Sequence, residues 1–290
     1  MTKVGKMPKD YLKAGRADLA IEAVSFMILS LTYMDALPPA GTIAALIACV
    51  FFVTLGVYGF NNVTDFHEDS INKPHSAVMS GRKTCRQILN FSLLCKLFAV
   101  ISAYFISWAA LIVVSVIILG SFFYSSKPIG GGRLKDMFLV KNVTIALLWA
   151  MLLLLPMLAW GVAVPFPYFI VVFFVFTHDF ISSVLSDLKD VEGDRHAGIM
   201  TFPAVYGEKN TLMLLASVNM AGLAAIFAGW LFLDLKIYLV LLPIVCVSRA
   251  YMFSLIYSGK QSAADVYHKF DRPTETALGP LAVLGRIFVH

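Results

Sequence analysis

The sequence has little charge: Asp, Glu, Lys and Arg make up only 14% of its 290 residues, whereas about a quarter is usual in a soluble domain. So few charged side chains do not cover a soluble core of this length, which excludes a water-soluble enzyme and a disordered chain. Cysteine is scarce as well. The four cysteines have no spacing typical of a metal site or a disulfide framework, and most lie within apolar runs. We interpret them as small buried hydrophobic residues.

Long apolar runs dominate the remaining sequence, which is 59% hydrophobic with a mean hydropathy of +0.79. Because a helix needs about 20 apolar residues to cross a bilayer, the runs predict an all-α integral membrane protein with nine transmembrane helices. The first is the weakest, since Glu22 and Asp35 interrupt it. We expect residues 1–290 to form a single domain. The nine spans are predicted at residues 18–36, 41–61, 87–106, 108–125, 142–162, 166–186, 211–233, 236–257 and 274–289.

Basic residues are distributed unequally between the two sets of connections. Nineteen of the 23 Lys and Arg residues fall in the amino-terminal arm or in connections on the same side, and the opposite connections have little beyond Lys236. The positive-inside rule then predicts a cytoplasmic amino terminus in a multi-pass protein of the cell membrane. Residues 1–16 are predicted to be an interfacial basic arm. Anionic lipids account for the net charge of +5, so no nucleic-acid partner is expected.

Acidic side chains form a first cluster at the predicted cytoplasmic end of the second span. Asn61, Asp65 and Asp69 follow one another at four-residue intervals. On a continuing helix these three residues share one face. A solvated loop gives no reason for Asn61, at the end of the apolar span, to share a helix face with the two acids.

A second acidic cluster follows the sixth span, where Asp190 and Asp194 repeat the four-residue spacing and Asp187 precedes them. Carboxylates near a hydrocarbon boundary are costly and repel each other, which indicates a compensating cation. Oxygen ligands alone favour Mg²⁺, which also binds substrate phosphates. The alternative is that both clusters are solvated loops. The predicted metal ligands are Asn61, Asp65, Asp69, Asp187, Asp190 and Asp194.

Basic residues accompany both clusters on the same side of the membrane. Their charges would neutralise the diphosphate oxygens that Mg²⁺ leaves exposed. The alternative for each residue is a topology marker. The set consists of Lys73, Arg82, Lys127, Lys189 and Arg195.

The two clusters resemble the motifs of the UbiA superfamily of intramembrane prenyltransferases. Residues 61–69 are similar to its first motif, NDxxDxxxD, with Asn62 where Asp is usual, and residues 72–82 resemble the segment that follows it. Asp190 and Asp194 match the second motif, DxxxD, and residues 193–203 match its continuation. The resemblance covers essentially the whole chain.

The resemblance implies a helix bundle around a central cavity, with a cytoplasmic cap over the active site. It implies that Mg²⁺ and an isoprenyl diphosphate donor bind there, and that a lipophilic acceptor receives the prenyl group during lipid biosynthesis. Arg16 is similar to the basic residue that heads the family's first helix, which implies donor binding. Tyr124 and Tyr58 are candidates to stabilise an allylic cation, or else interfacial belt aromatics. The predicted catalytic residues are Asn61, Asp65, Asp69, Asp190, Asp194 and Tyr124.

The sequence is compatible with several classes of acceptor: a glycerol-phosphate ether lipid, a quinone precursor or a chlorin. Lys127 follows Tyr124 one position earlier than in the Tyr-x-x-x-Lys element of aromatic-acceptor members, which favours a lipid acceptor. We also favour a long-chain donor. A secondary transporter or channel is an alternative of another class, but it predicts acids near the bilayer centre rather than at one interface. A CDP-alcohol phosphotransferase is disfavoured because neither cluster has its aspartate signature.

Overall fold

The structure is a computed structural model that describes residues 7–66, 83–126, 133–196 and 198–289. These residues are mainly helical and include no β-strand. A π-helical turn, Tyr267–Asp271, leads into the last helix. The helices are α1 (Met7–Ala14), α2 (Ala17–Tyr33), α3 (Ala40–Thr64), α4 (Cys85–Ile106), α5 (Trp108–Ser125), α6 (Val140–Ala159), α7 (Tyr168–Lys189), α8 (Val191–His196), α9 (Phe202–Phe232), α10 (Leu241–Tyr257), α11 (Ala263–Val266) and α12 (Arg272–Val289).

Each predicted span coincides with a helix, but in the described residues six helices are long and apolar enough to cross a membrane. These six are α3, α4, α5, α6, α7 and α9. The helices α2 and α10 have only 17 residues each, and α12 includes charged residues within its 18. The prediction of an all-helical membrane protein is therefore confirmed. The count of nine spans stays a prediction, as do the orientation of the amino terminus and the cytoplasmic cap.

Two compact units make up the fold. The first unit comprises the described residues of Met1–Val24 and Pro38–Leu134, and the second those of Ser25–Leu37 and Lys135–His290. The single domain expected over residues 1–290 stays a prediction.

Close packing of α3 on α4 organises the first unit. A Cβ atom on Gly56 would lie 2.7 Å from Cγ of Lys96, and one on Gly59 would lie 3.3 Å from Cβ of Ser92. Glycine therefore lets the two backbones approach, as small residues do between membrane helices. Ser92 Oγ donates a hydrogen bond of 2.6 Å to the carbonyl of Gly56. This contact holds the α3 segment that leads into the first acidic motif.

Local sequence signals determine where the helices of the first unit begin. Thr84 and Gln87 form a capping box at the start of α4, with reciprocal hydrogen bonds of 3.0 and 3.2 Å. Ser107 separates α4 from α5, and its Oγ accepts a hydrogen bond from the amide of Ala110. The chain therefore passes from α4 to α5 through this single residue.

In the second unit, α7 packs against both α6 and α9. The helices α7 and α9 approach each other closely at Gly222 of α9, where an added Cβ atom would lie 2.9 Å from Oγ1 of Thr177 in α7. The core around α7 includes Ile181, Val184 and Leu185, which are almost entirely inaccessible to solvent. This packing on two sides fixes the end of α7, where the second acidic motif begins.

Candidate active site

The first acidic motif begins on the last turn of α3. Nδ2 of Asn61 donates a 2.8 Å hydrogen bond to Oδ2 of Asp65, and Ser125 at the end of α5 donates to Oδ1 of Asn61 at 2.9 Å. The amide of Asn62 donates to the carbonyl of Ala14 in α1. The four-residue spacing thus places Asn61 beside Asp65, as expected for one helix face. Three helix ends of the first unit meet at this motif.

Other predicted residues of the first unit lie at helix ends as well. Tyr124 is half-buried and immediately precedes Ser125, the hydrogen-bond partner of Asn61. Arg16 lies in the turn between α1 and α2, where its guanidinium is ion-paired with Asp18 at 2.9 Å. Four residues of the predicted site lie outside the described residues: Asp69, Lys73, Arg82 and Lys127.

Asp187, which precedes the second motif in the same acidic cluster, is held by residues of α6. Nζ of Lys141 lies 2.7 Å from Oδ1 of Asp187, and Nδ2 of Asn142 donates to Oδ2 at 3.0 Å. The same Asn142 nitrogen lies 2.9 Å from Oγ of Ser183, one turn earlier on α7. Asn142 and Asp187 are buried. Lys141 counts among the basic residues of the predicted cytoplasmic connections, but its contact with Asp187, and that of Asn142, was not predicted from the sequence.

Asp190 and Asp194 lie just beyond α7. Asp190 ends the helix and is exposed, and its Oδ2 lies 3.2 Å from Nζ of Lys189. The amide of Asp194 donates to the carbonyl of Asp190 at 3.0 Å, which places the two residues one helical turn apart. Nζ of Lys189 also lies 5.2 Å above the ring of Tyr267. Gly198 follows α8 with φ of 69° and permits the left-handed turn there.

The donor atoms of these motifs suit a hard cation. Asp65, Asp190 and Asp194 present carboxylate oxygens, the ligands that Mg²⁺ prefers. Burial raises the pKa of Asp194, while the ammonium of Lys141 opposes this effect and the charge of Asp187 adds to it. A bound cation would stabilise the ionised form of such a carboxylate. The residues of each motif, taken by itself, therefore fit a magnesium ion.

A buried ionic cluster in the second unit was not predicted. Its members are Arg249 of α10, Asp271 of the π-helical turn, His178 of α7, and Glu275 and Arg272 of α12. Arg249 donates from Nε to Oδ1 of Asp271 at 3.0 Å, and its Nη1 lies 2.8 Å from Nδ1 of His178. Arg272 donates to Glu275 at 3.0 Å. Arg249 within an apolar run was the available signal.

The chain is similar to known proteins in sequence and in fold. A family model described as UbiA prenyltransferase family matches residues 23–270. The digeranylgeranylglyceryl phosphate synthase of Pyrococcus furiosus is 26% identical over 218 residues, which cover 75% of each chain. The protein of the same name from Methanopyrus kandleri is 29% identical over 202 residues, covering 68% of this chain and 70% of that one.

Among solved structures, a UbiA homologue from Archaeoglobus fulgidus bound to GPP and Mg²⁺ has a similar fold. Its TM-score is 0.80 with 14% identity, and the similarity covers 97% of this chain and 99% of that one. At that identity the likeness concerns the fold. Together with the six apolar helices, these matches indicate a multi-pass membrane protein.

Proposed function

Because this chain belongs to the UbiA prenyltransferase family and is an intramembrane prenyltransferase, we propose that it transfers a long isoprenyl chain from its diphosphate to a glyceryl phosphate lipid. The relatives named digeranylgeranylglyceryl phosphate synthase support this acceptor class. That name describes two geranylgeranyl groups on glyceryl phosphate. The expected donor is therefore geranylgeranyl diphosphate, and the acceptor is a glyceryl phosphate that already has one such chain.

The observation on which the proposal depends is the oxygen-donor set at two helix ends. We propose that Asp65 and Asp69 of the first motif, assisted by Asn61, and Asp190 and Asp194 of the second bind Mg²⁺. When bound, Mg²⁺ acts as a Lewis acid on the departing diphosphate. Asp190 and Asp194 lie one helical turn apart, as do Asn61 and Asp65, and these oxygen donors without a thiol suit this role.

In the reaction, the allylic C–O bond breaks and its electron pair leaves with the diphosphate. The hydroxyl oxygen of the acceptor forms the new C–O bond and loses its proton, and free diphosphate is released. Basic side chains stabilise the growing charge on the leaving group. We assign Lys189 to this role from its position beside Asp190, and we propose the same for Arg16, Lys73, Arg82 and Lys127.

The allylic cation needs electron-rich neighbours in a dry environment. Tyr124 is half-buried and immediately precedes Ser125, which contacts Asn61, so we propose that its ring stabilises this cation by a cation–π interaction. We further propose that the active site faces the cytoplasm, because the predicted connections on that side have most of the basic residues.

A panel of donors and acceptors with the purified protein in nanodiscs tests this function. Geranyl, farnesyl and geranylgeranyl diphosphates are each combined with a geranylgeranyl glyceryl phosphate, an aromatic quinone precursor and a chlorin, and released diphosphate is measured. We expect the highest turnover with geranylgeranyl diphosphate and the glyceryl phosphate lipid. Turnover should stop in excess EDTA and return with Mg²⁺. Turnover with only an aromatic acceptor would refute the acceptor class, and full activity in EDTA would refute the metal role.

A further inference from the structure

Asp187 has two donors that come from a different helix. Oδ1 contacts the ammonium of Lys141 at 2.7 Å, and Oδ2 accepts from Asn142 at 3.0 Å. Both donors belong to the first turn of α6. Asp190 differs, because its described side-chain contact is with its neighbour Lys189. Asp187 therefore has protein partners on both oxygens, whereas Asp190 is open towards solvent.

The geometry around Asp187 is rigid. Asn142 is only 2% exposed and Asp187 only 7%. Asn142 also contacts Ser183 at 2.9 Å, so its amide is held against two points of α7. These hydrogen bonds and the surrounding packing fix the position of the Asn142 amide. Asp187 is thus held towards α6.

Lys141 has binding capacity that Asp187 does not use. An ammonium has three N–H donors, and the structure describes one contact for it, to Asp187. Its side chain is 21% exposed, so the remaining donors have access to a ligand. The amide of Asp190 donates to the carbonyl of Asp187 at 3.2 Å, so the ammonium that contacts Asp187 lies near the start of the second acidic motif. A cation beside an acidic metal motif is suited to phosphate oxygens.

We propose that Lys141 binds the diphosphate of the donor, and that Asp187 is a positioning residue that holds Lys141 for this contact rather than a ligand of the metal. Asn142 completes the arrangement by orienting Asp187. The inference rests on the proposed function, since it assumes a diphosphate substrate. It adds a basic residue that neither acidic motif includes, and it separates Asp187 from Asp190 and Asp194.

Binding of inorganic diphosphate in the presence of Mg²⁺ tests the role of Lys141 without turnover. Calorimetry is performed on the full-length protein in nanodiscs. We expect Lys141→Met to weaken diphosphate binding by about tenfold to a hundredfold, as for loss of one charge-assisted contact. Lys209→Met is the matched control, because Lys209 is an exposed residue of α9 with the same charge. This control should bind diphosphate like the unmodified protein.

A double-mutant cycle tests whether Asp187 acts through Lys141. If it does, Asp187→Asn weakens diphosphate binding, and the variant with both substitutions binds no more weakly than Lys141→Met alone. Binding of Mn²⁺ without diphosphate, measured by electron paramagnetic resonance, should be unchanged in Asp187→Asn. Should Lys141→Met not purify, Lys141→Gln has the same expectation, because an amide still donates to Asp187 but has no charge.

Three results would overturn the inference. Unchanged diphosphate binding in Lys141→Met would remove its role, additive losses in the cycle would separate the two residues, and weaker Mn²⁺ binding in Asp187→Asn would make Asp187 a metal ligand. If instead the unmodified protein binds no diphosphate with Mg²⁺, the proposed function itself fails.

Discussion

Arg249→Met is expected to destabilise the second unit strongly, because it leaves a buried carboxylate without its cation. Arg249 is 2% exposed and Asp271 is fully buried. The guanidinium donates to Oδ1 of Asp271 at 3.0 Å, and Oδ2 of Asp271 accepts no hydrogen bond from the described residues. Removing one partner of a buried ion pair usually costs about 3–5 kcal/mol. We expect a loss of that size in the free energy of unfolding.

The compensating variant tests the reason for this loss. Replacing both partners, with Arg249→Met and Asp271→Leu, removes the uncompensated charge and should recover most of the stability. Lys269→Met is the control: its pair with Asp265 is also short, at 2.6 Å, but the two side chains are 77% and 42% exposed. Exposed pairs contribute only about 0–1 kcal/mol.

Unfolding by SDS in mixed micelles, followed by circular dichroism, measures these differences in free energy. The reasoning would be refuted if Arg249→Met differed from the unmodified protein by no more than Lys269→Met does. It would also be refuted if the double variant were less stable than Arg249→Met, because the cost would then arise from lost packing rather than from an unpaired charge.

Three further predictions concern the metal site, the packing and the topology. Asp190→Ala should lower Mg²⁺-dependent turnover at least about a hundredfold, as for other groups that stabilise transition-state charge, and a rate like that of the unmodified protein would contradict its role. Gly279→Ala should cost about 1–3 kcal/mol in unfolding experiments, because its Cβ would overlap the backbone carbonyl of Ser25, whereas Gly41→Ala has open space and should be tolerated. A label at Lys260 should react only from the cytoplasm and one near Pro38 only from outside; the reverse accessibility would contradict the orientation.

Much of the helix pattern was predictable because it depends on local features of the sequence. Apolar run length placed a helix at each predicted span, and in the structure capping residues such as Thr84 and Ser107 lie where α4 and α5 begin. The structure extends some of these helices. The helix α9 begins at Phe202 rather than at the predicted residue 211, and a break at Gly207, with φ of 78°, separates its first residues from the apolar run. Hydropathy placed the start at residue 211 because the polar residues Glu208, Lys209 and Asn210 directly precede the apolar run.

The contact within the first acidic motif was also contained in the sequence. Asn61 and Asp65 are four residues apart, and helix geometry brings such residues together, as their 2.8 Å hydrogen bond confirms. The roles of the predicted site residues in binding metal and diphosphate stay predictions.

Contacts between distant segments were decided by tertiary structure. Lys141 and Asp187 are on different helices, and no spacing rule relates them; their contact depends on how α6 packs against α7. Arg249 likewise was visible in the sequence only as a charge inside an apolar run. Its partners, Asp271 and His178, come from two other elements. Sequence patterns report which residues share one helix face, whereas the pairing of faces depends on side-chain packing between helices.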